Sequence, residues 1–111
     1  MIRNLTRNAV LASRVQVAAN PWQRMKGLLG QSELLPGSAL VITHCQSIHM
    51  FFMKFPIDVV FCDRQGNVVG VCENIKPFSL SPLFCKASYA IELPAGTVAA
   101  TQTRQDDQIE K

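Results

Sequence analysis

Apolar residues fill both the odd and the even positions of Ile48-His49-Met50-Phe51-Phe52-Met53-Lys54-Phe55-Pro56-Ile57-Asp58-Val59-Val60-Phe61. A strand with one wet face would alternate, so neither face of this stretch is made for water. Residues 10–17 do alternate: Leu11, Val15 and Val17 fall in one phase and Arg14 and Gln16 in the other, which predicts a half-buried strand. Next, Asn20 is a good N-cap, Pro21 a good first helical residue and Gly30 a good terminator. Trp22, Met25 and Leu29 line one side between them at helical spacing, predicting a helix of about two turns. After a turn at Leu35-Pro36-Gly37-Ser38, residues 39–45 read as a buried strand and residues 49–52 as a second. Residues 58–63 and 68–72 form a predicted hairpin around Arg64-Gln65-Gly66-Asn67. Residues 76–85 hold two prolines and two serines and read as a long irregular loop. Residues 88–93 read as a strand ended by Pro94-Ala95-Gly96, then a helical turn over 97–103 and a short edge strand near Gln108 and Ile109.

Short strands with short connections predict a mainly β fold. The expected form is a small antiparallel β-sandwich or partly closed barrel with one short N-terminal helix, and an α+β arrangement is the alternative. The 111 residues fit one domain spanning 1–111. At 48% hydrophobic the chain can fill a modest core, which argues against disorder.

Composition then narrows the chemistry. Charged residues make up only 17% of the chain, so each one inside an apolar run stands out. The net charge of +3 is mild, although Arg3, Arg7, Arg14, Arg24 and Lys26 all precede the first acid, Glu33. Basic and aromatic residues are not interleaved there, so no nucleic-acid partner is expected. No apolar run reaches the ~18 residues of a membrane span, and no secretory leader is read at the start; a cytoplasmic protein is expected. The 4 cysteines, Cys45, Cys62, Cys72 and Cys85, sit among apolar residues without C-x-x-C spacing and are expected to be reduced.

Three motifs carry a resemblance. Arg24-Met25-Lys26-Gly27-Leu28 comes first. The aromatic-rich Phe51-Phe52-Met53-Lys54 follows, leading through Pro56 to Ile57-Asp58. Ile91-Glu92-Leu93-Pro94-Ala95-Gly96 comes last. In this order the chain resembles the family called domain of unknown function 192, a small bacterial and archaeal group, over about residues 10–109. The resemblance implies a mainly β fold and no established activity. The family usually closes on Gly-Asp, where this chain reads Asp106-Asp107.

The charged groups of these segments are the candidate site. Lys54 and Asp58 stand four apart, roughly 13 Å in a straight strand, so each needs another partner unless Pro56 turns the chain. Arg24 and Glu92 are the natural partners. Together with His49 at the rim, Arg24, Lys54, Asp58 and Glu92 are expected to gather around the apolar segment, as an internal ion-pair network or as a ligand cleft. The reading drawn is a non-enzymatic binding module for a small polar or anionic ligand or a protein partner, with basic groups holding an anion by charge-assisted hydrogen bonds. One alternative is a small hydrolase or isomerase with Asp58 or Glu92 as general base. Another is a structural or assembly subunit. The chain is expected to be a monomer or a weak homo-oligomer. In a strand Cys45 and His49 share a face while His44 points away, so only two ligands converge; no metal or other cofactor is expected.

Overall fold

The structure is a computed structural model that describes residues 1–19, 34–50 and 53–111. The described elements are β1 Ile2–Asn4, β2 Ala9–Ala12, β3 Arg14–Ala18, β4 Ser38–Thr43, β5 Ile57–Cys62, β6 Val68–Ile75, β7 Tyr89–Pro94, α1 Thr97–Thr101 and β8 Ile109–Glu110. The fold is mainly β, as the strand patterns predict. It has two sheets, a five-stranded one in the order β3-β4-β7-β5-β6 and a three-stranded one in the order β2-β1-β8, and among the described residues no barrel closes. The helix predicted over 20–30, and Arg24 within it, lie outside the described residues. So do Phe51 and Phe52.

β5 is buried at every position. The reason is that the five-stranded sheet has a core on each face. Ile57, Val59 and Phe61 pack on one side with Leu40, Ile42, Met50, Met53, Phe55 and Ala90. Val60 and Cys62 pack on the other with Val41, Ile91 and Leu93, and with Ile2, Leu11, Val98 and Ile109 from the three-stranded sheet and α1. Filled odd and even positions are what two covered faces require.

One expectation changes. Residues 10–17 are not one strand. The N–H groups of Ser13 and Arg14 both donate to the Gly37 carbonyl, at 2.9 and 3.0 Å, and the Arg14 guanidinium donates to the Pro36 carbonyl at 2.9 Å. The chain therefore leaves one sheet as β2 and enters the other as β3. Leu11 is buried while Val17 is 66% exposed, so the shared phase did not mean a shared core. Pairing among the described strands is largely antiparallel, as expected, while β3 runs parallel to β4 from Arg14↔Ser38 to Ala18↔Ile42. Parallel neighbours need a crossover, and the long connection between these strands supplies the length for one.

The β5–β6 hairpin forms as expected. Asp63 Oδ1 accepts the N–H of Gln65 and of Asn67, both at 2.9 Å, and closes the turn. Gly66 takes the positive φ of 83° that this turn needs, and a Cβ there would meet the Ile109 carbonyl oxygen at 2.3 Å. Residues 76–85 are irregular. They are held to residues 46–50 by the N–H groups of Met50, Ser81 and Phe84, which donate to the carbonyls of Ser79, Ile48 and Gln46, each at 2.8 Å. Of the strand predicted over 49–52, the described part is an isolated bridge between His49 and Leu80.

Candidate functional site

Asp58 lies in β5 with its side chain 1% exposed. Opposite it β6 carries an extra residue, because Ile57 pairs with Ile75 but Val59 with Cys72. At that bulge Asn74 has φ 52°, and its N–H donates to Asp58 Oδ1 at 2.8 Å. The other oxygen, Oδ2, accepts the N–H of Gly96 at 3.0 Å and of Val98 at 2.9 Å. Gly96 reaches this position at φ 97°, in the left-handed region that suits glycine. Asp58 therefore caps the first turn of α1 and binds the bulge of β6 at once. A buried carboxylate is expensive unless hydrogen-bonded, and here the backbone supplies the donors.

Glu92 is the other buried carboxylate of the candidate set, at 0% exposure in β7. It pairs with Leu40 of β4 and with Val59 of β5. Asp58 pairs with Leu93. Directly paired residues share a sheet face and successive residues alternate. Glu92 therefore faces the core of Val59, Phe61 and Leu40, while Asp58 faces that of Val60, Ile91 and Leu93. The sheet stands between the two carboxylates. They cannot converge on one substrate as an acid/base pair, and the expected gathering of all the candidate charges does not occur. His49 and Lys54 are exposed, on the segment whose Met50, Met53 and Phe55 cover the Glu92 face. Arg24 lies outside the described residues.

Two further polar groupings were not foreseen. Asp107 Oδ2 accepts the side-chain amide of Asn4 at 3.0 Å, the Arg7 Nε at 3.1 Å and the Arg104 N–H at 3.1 Å. Burial alone would raise the Asp107 pKa. The hydrogen bonds from Asn4, Arg7 and Arg104, with the Arg7 charge, outweigh it and hold the carboxyl below the usual range. Asp106 takes φ 77° in the place where the family has glycine, so the departure keeps the turn that delivers Asp107 inward. The second grouping is an open cleft of about 550 Å³ whose lining includes His44, Arg64, Cys85 and Lys86. These residues come from three separate loops. Only the strand register, which sets which loops lie at the same sheet end, could have joined them from the sequence.

The thiols differ. Burial pushes the Cys62 pKa up to about 12, against a hydrogen bond with Tyr89 that works to lower it. Burial also raises the Tyr89 pKa, with Cys62 adding to the rise. Cys85 is exposed. Among the described residues no three His, Cys, Asp or Glu side chains come together as a metal-binding group, and no helix is long and apolar enough to cross a membrane.

The model of the family DUF192, described as an uncharacterized ACR, matches residues 3–111. The chain belongs to this family. A UPF0127 protein of Pyrococcus horikoshii is 33% identical over 115 residues, covering 98% of this chain and 96% of the relative. One from Thermococcus sibiricus is 30% identical over 117 residues, covering 99% and 73%. A crystal structure of a protein of unknown function from Novosphingobium aromaticivorans superposes with TM-score 0.76 at 18% identity, over 87% of this chain and 74% of that one. A second, from Sinorhizobium meliloti, is named as a candidate transcription regulator and gives TM-score 0.69 at 26% identity, over 86% and 79%. Within this DUF192 chain the Pro-Ala-Gly motif has a physical reading: it turns two amides onto the Asp of the Ile-Asp motif.

Proposed function

We propose that this DUF192 protein is a cytoplasmic, non-enzymatic binding module that takes a small carboxylate-bearing ligand on the Glu92 face of its sheet. The observation that supports this is the burial of Glu92 at 0% exposure in a central strand, between Leu40 and Val59. A carboxylate in such surroundings gives a cation a reason to enter them, and a cation held there has donors left for an anion. Arg24 is the cation proposed for that role, with the exposed Lys54 and His49 at the rim. Asp58 serves the scaffold, its oxygens taken by Asn74, Gly96 and Val98. With the two carboxylates on opposite faces of the sheet, the enzymatic alternative is left with one of them as a lone general base rather than an acid/base pair.

The regulator name of the Sinorhizobium meliloti structure suggests nucleic acid as a ligand. A basic stripe along one element would favour that reading. The described arginines are instead spread over β1, β3 and several loops, which is why a small ligand is preferred.

The test is a thermal-shift screen of small carboxylates on the wild-type protein and on Lys54→Met. A ligand at a hundred times its Kd adds about 2.7 kcal/mol to the native state. Lys54 is exposed, so the variant should melt within about 2 °C of wild type while losing the ligand-induced shift. Unfolding of Lys54→Met would favour an internal structural network instead, and a shift left intact in the variant would remove Lys54 from the site.

A further inference from the structure

The register of the five-stranded sheet brings three loops to one end. Thr43 at the end of β4 pairs with Tyr89 at the start of β7, and Tyr89 also pairs with Cys62 at the end of β5. Cys62 in turn pairs with Val68 at the start of β6. The chain leaving β4, the β5–β6 turn and the approach to β7 are therefore neighbours, and they enclose the cleft of about 550 Å³. Each loop contributes one group able to carry positive charge: His44, Arg64 and Lys86, all exposed.

The frame beneath these side chains is fixed. The Gln46 amide donates to the Cys85 carbonyl at 2.7 Å, and the Ser88 N–H donates to the Cys62 carbonyl at 2.7 Å. Asp63 is the carboxylate of the lining, and its turn already uses it. Oδ1 accepts the N–H of Gln65 and Asn67, and Oδ2 accepts the Asn67 side-chain amide at 3.2 Å. These bonds hold Asp63 in its own turn, and its negative charge offsets one of the two cations Arg64 and Lys86. What remains for the cleft is a net positive balance contributed by residues of three neighbouring loops.

We propose that this cleft is an anion site that takes the phosphate group of a small phosphorylated metabolite between Arg64, Lys86 and His44. A guanidinium fork matches two phosphate oxygens, an ammonium adds a point charge, and an imidazole reaches a third side. A tetrahedral anion can accept from all three directions, whereas a planar carboxylate offers its lone pairs in one plane. The volume falls within the ordinary range of small-molecule pockets. The site is distinct from the Glu92 face, so either reading can fail while the other stands.

The experiment is a titration of the full chain with pyrophosphate, followed by backbone amide NMR at ionic strength held constant with sodium chloride. Saturable shifts confined to residues 44–46, 63–65 and 85–88 are expected, and Arg64→Gln/Lys86→Gln should weaken binding at least tenfold. Both side chains are exposed, so the double variant should keep the wild-type spectrum elsewhere and the wild-type Tm. At pH 8, where both are dianions, malonate should shift these same residues at least fivefold more weakly than inorganic phosphate. The proposal is overturned if the shifts match those from chloride alone, centre on other residues or persist in the double variant. Malonate acting on these same residues as tightly as inorganic phosphate would overturn it too.

Discussion

At the scale of single residues, Asp58 and Gly70 decide the most. Removing the Asp58 carboxylate leaves the N–H groups of Asn74, Gly96 and Val98 without their acceptor. Each buried group left unsatisfied costs about 1–3 kcal/mol, and water can recover some of it. Asp58→Ala should therefore lose about 3–5 kcal/mol in urea unfolding; a loss below 1 kcal/mol would mean that Asp58 does not hold these amides. Gly70 is a steric case. It pairs with Phe61, and the Phe84 ring lies over it with its centroid 4.6 Å from that of Phe61. A Cβ on Gly70 would sit 2.1 Å from a Phe84 ring carbon. Gly70→Ala should cost about 1–3 kcal/mol, as overpacking usually does, and adding Phe84→Leu should restore part of it. A neutral Gly70→Ala would show that the ring moves aside freely.

At the scale of elements, the three-stranded sheet depends on a polar cluster. β1 sits between β2 and β8, and Asn4 at its end reaches Thr103 as well as Asp107, both at 3.0 Å. The folded Asp107 carboxyl gives up its proton more readily than an unfolded one, whose pKa is about 3.9. Its contribution is complete above that value and drains as pH falls through the lower folded pKa. Urea midpoints between pH 7 and pH 3 should thus fall less steeply for Asp107→Asn than for wild type, although the variant starts less stable at pH 7. Parallel pH profiles would show that Asp107 carries no acid sensitivity. This cluster left little trace in the sequence, because its members lie about a hundred positions apart and are ordinary surface residue types. The hairpin was legible because Asp63 to Asn67 closes on local hydrogen bonds. The break at Ser13 was not, since its acceptor is the Gly37 carbonyl.

At the scale of the whole molecule, the doubly apolar phase was legible where β5 runs, since that strand is covered on both faces. It could not say which charge faces which core. Asp58 and Glu92 fall on opposite sides only through the pairing of Asp58 with Leu93, and pairing is set by the whole sheet. The layered packing also sorts the thiols. Cys62 is buried, with a pKa raised to about 12, while Cys85 is exposed. Iodoacetamide at pH 8 on the native protein should label Cys85 well before Cys62, as read by peptide mass spectrometry. Labelling of Cys62 at a comparable rate would mean that this core opens often.

The central place of β1 in its small sheet has a consequence for biosynthesis. Its partner β8 lies far downstream in sequence, so β1 stays half-paired during synthesis until β8 has been made. Completion of the sheet waits for β8, and until then the β1 edge is open to chaperones and proteases.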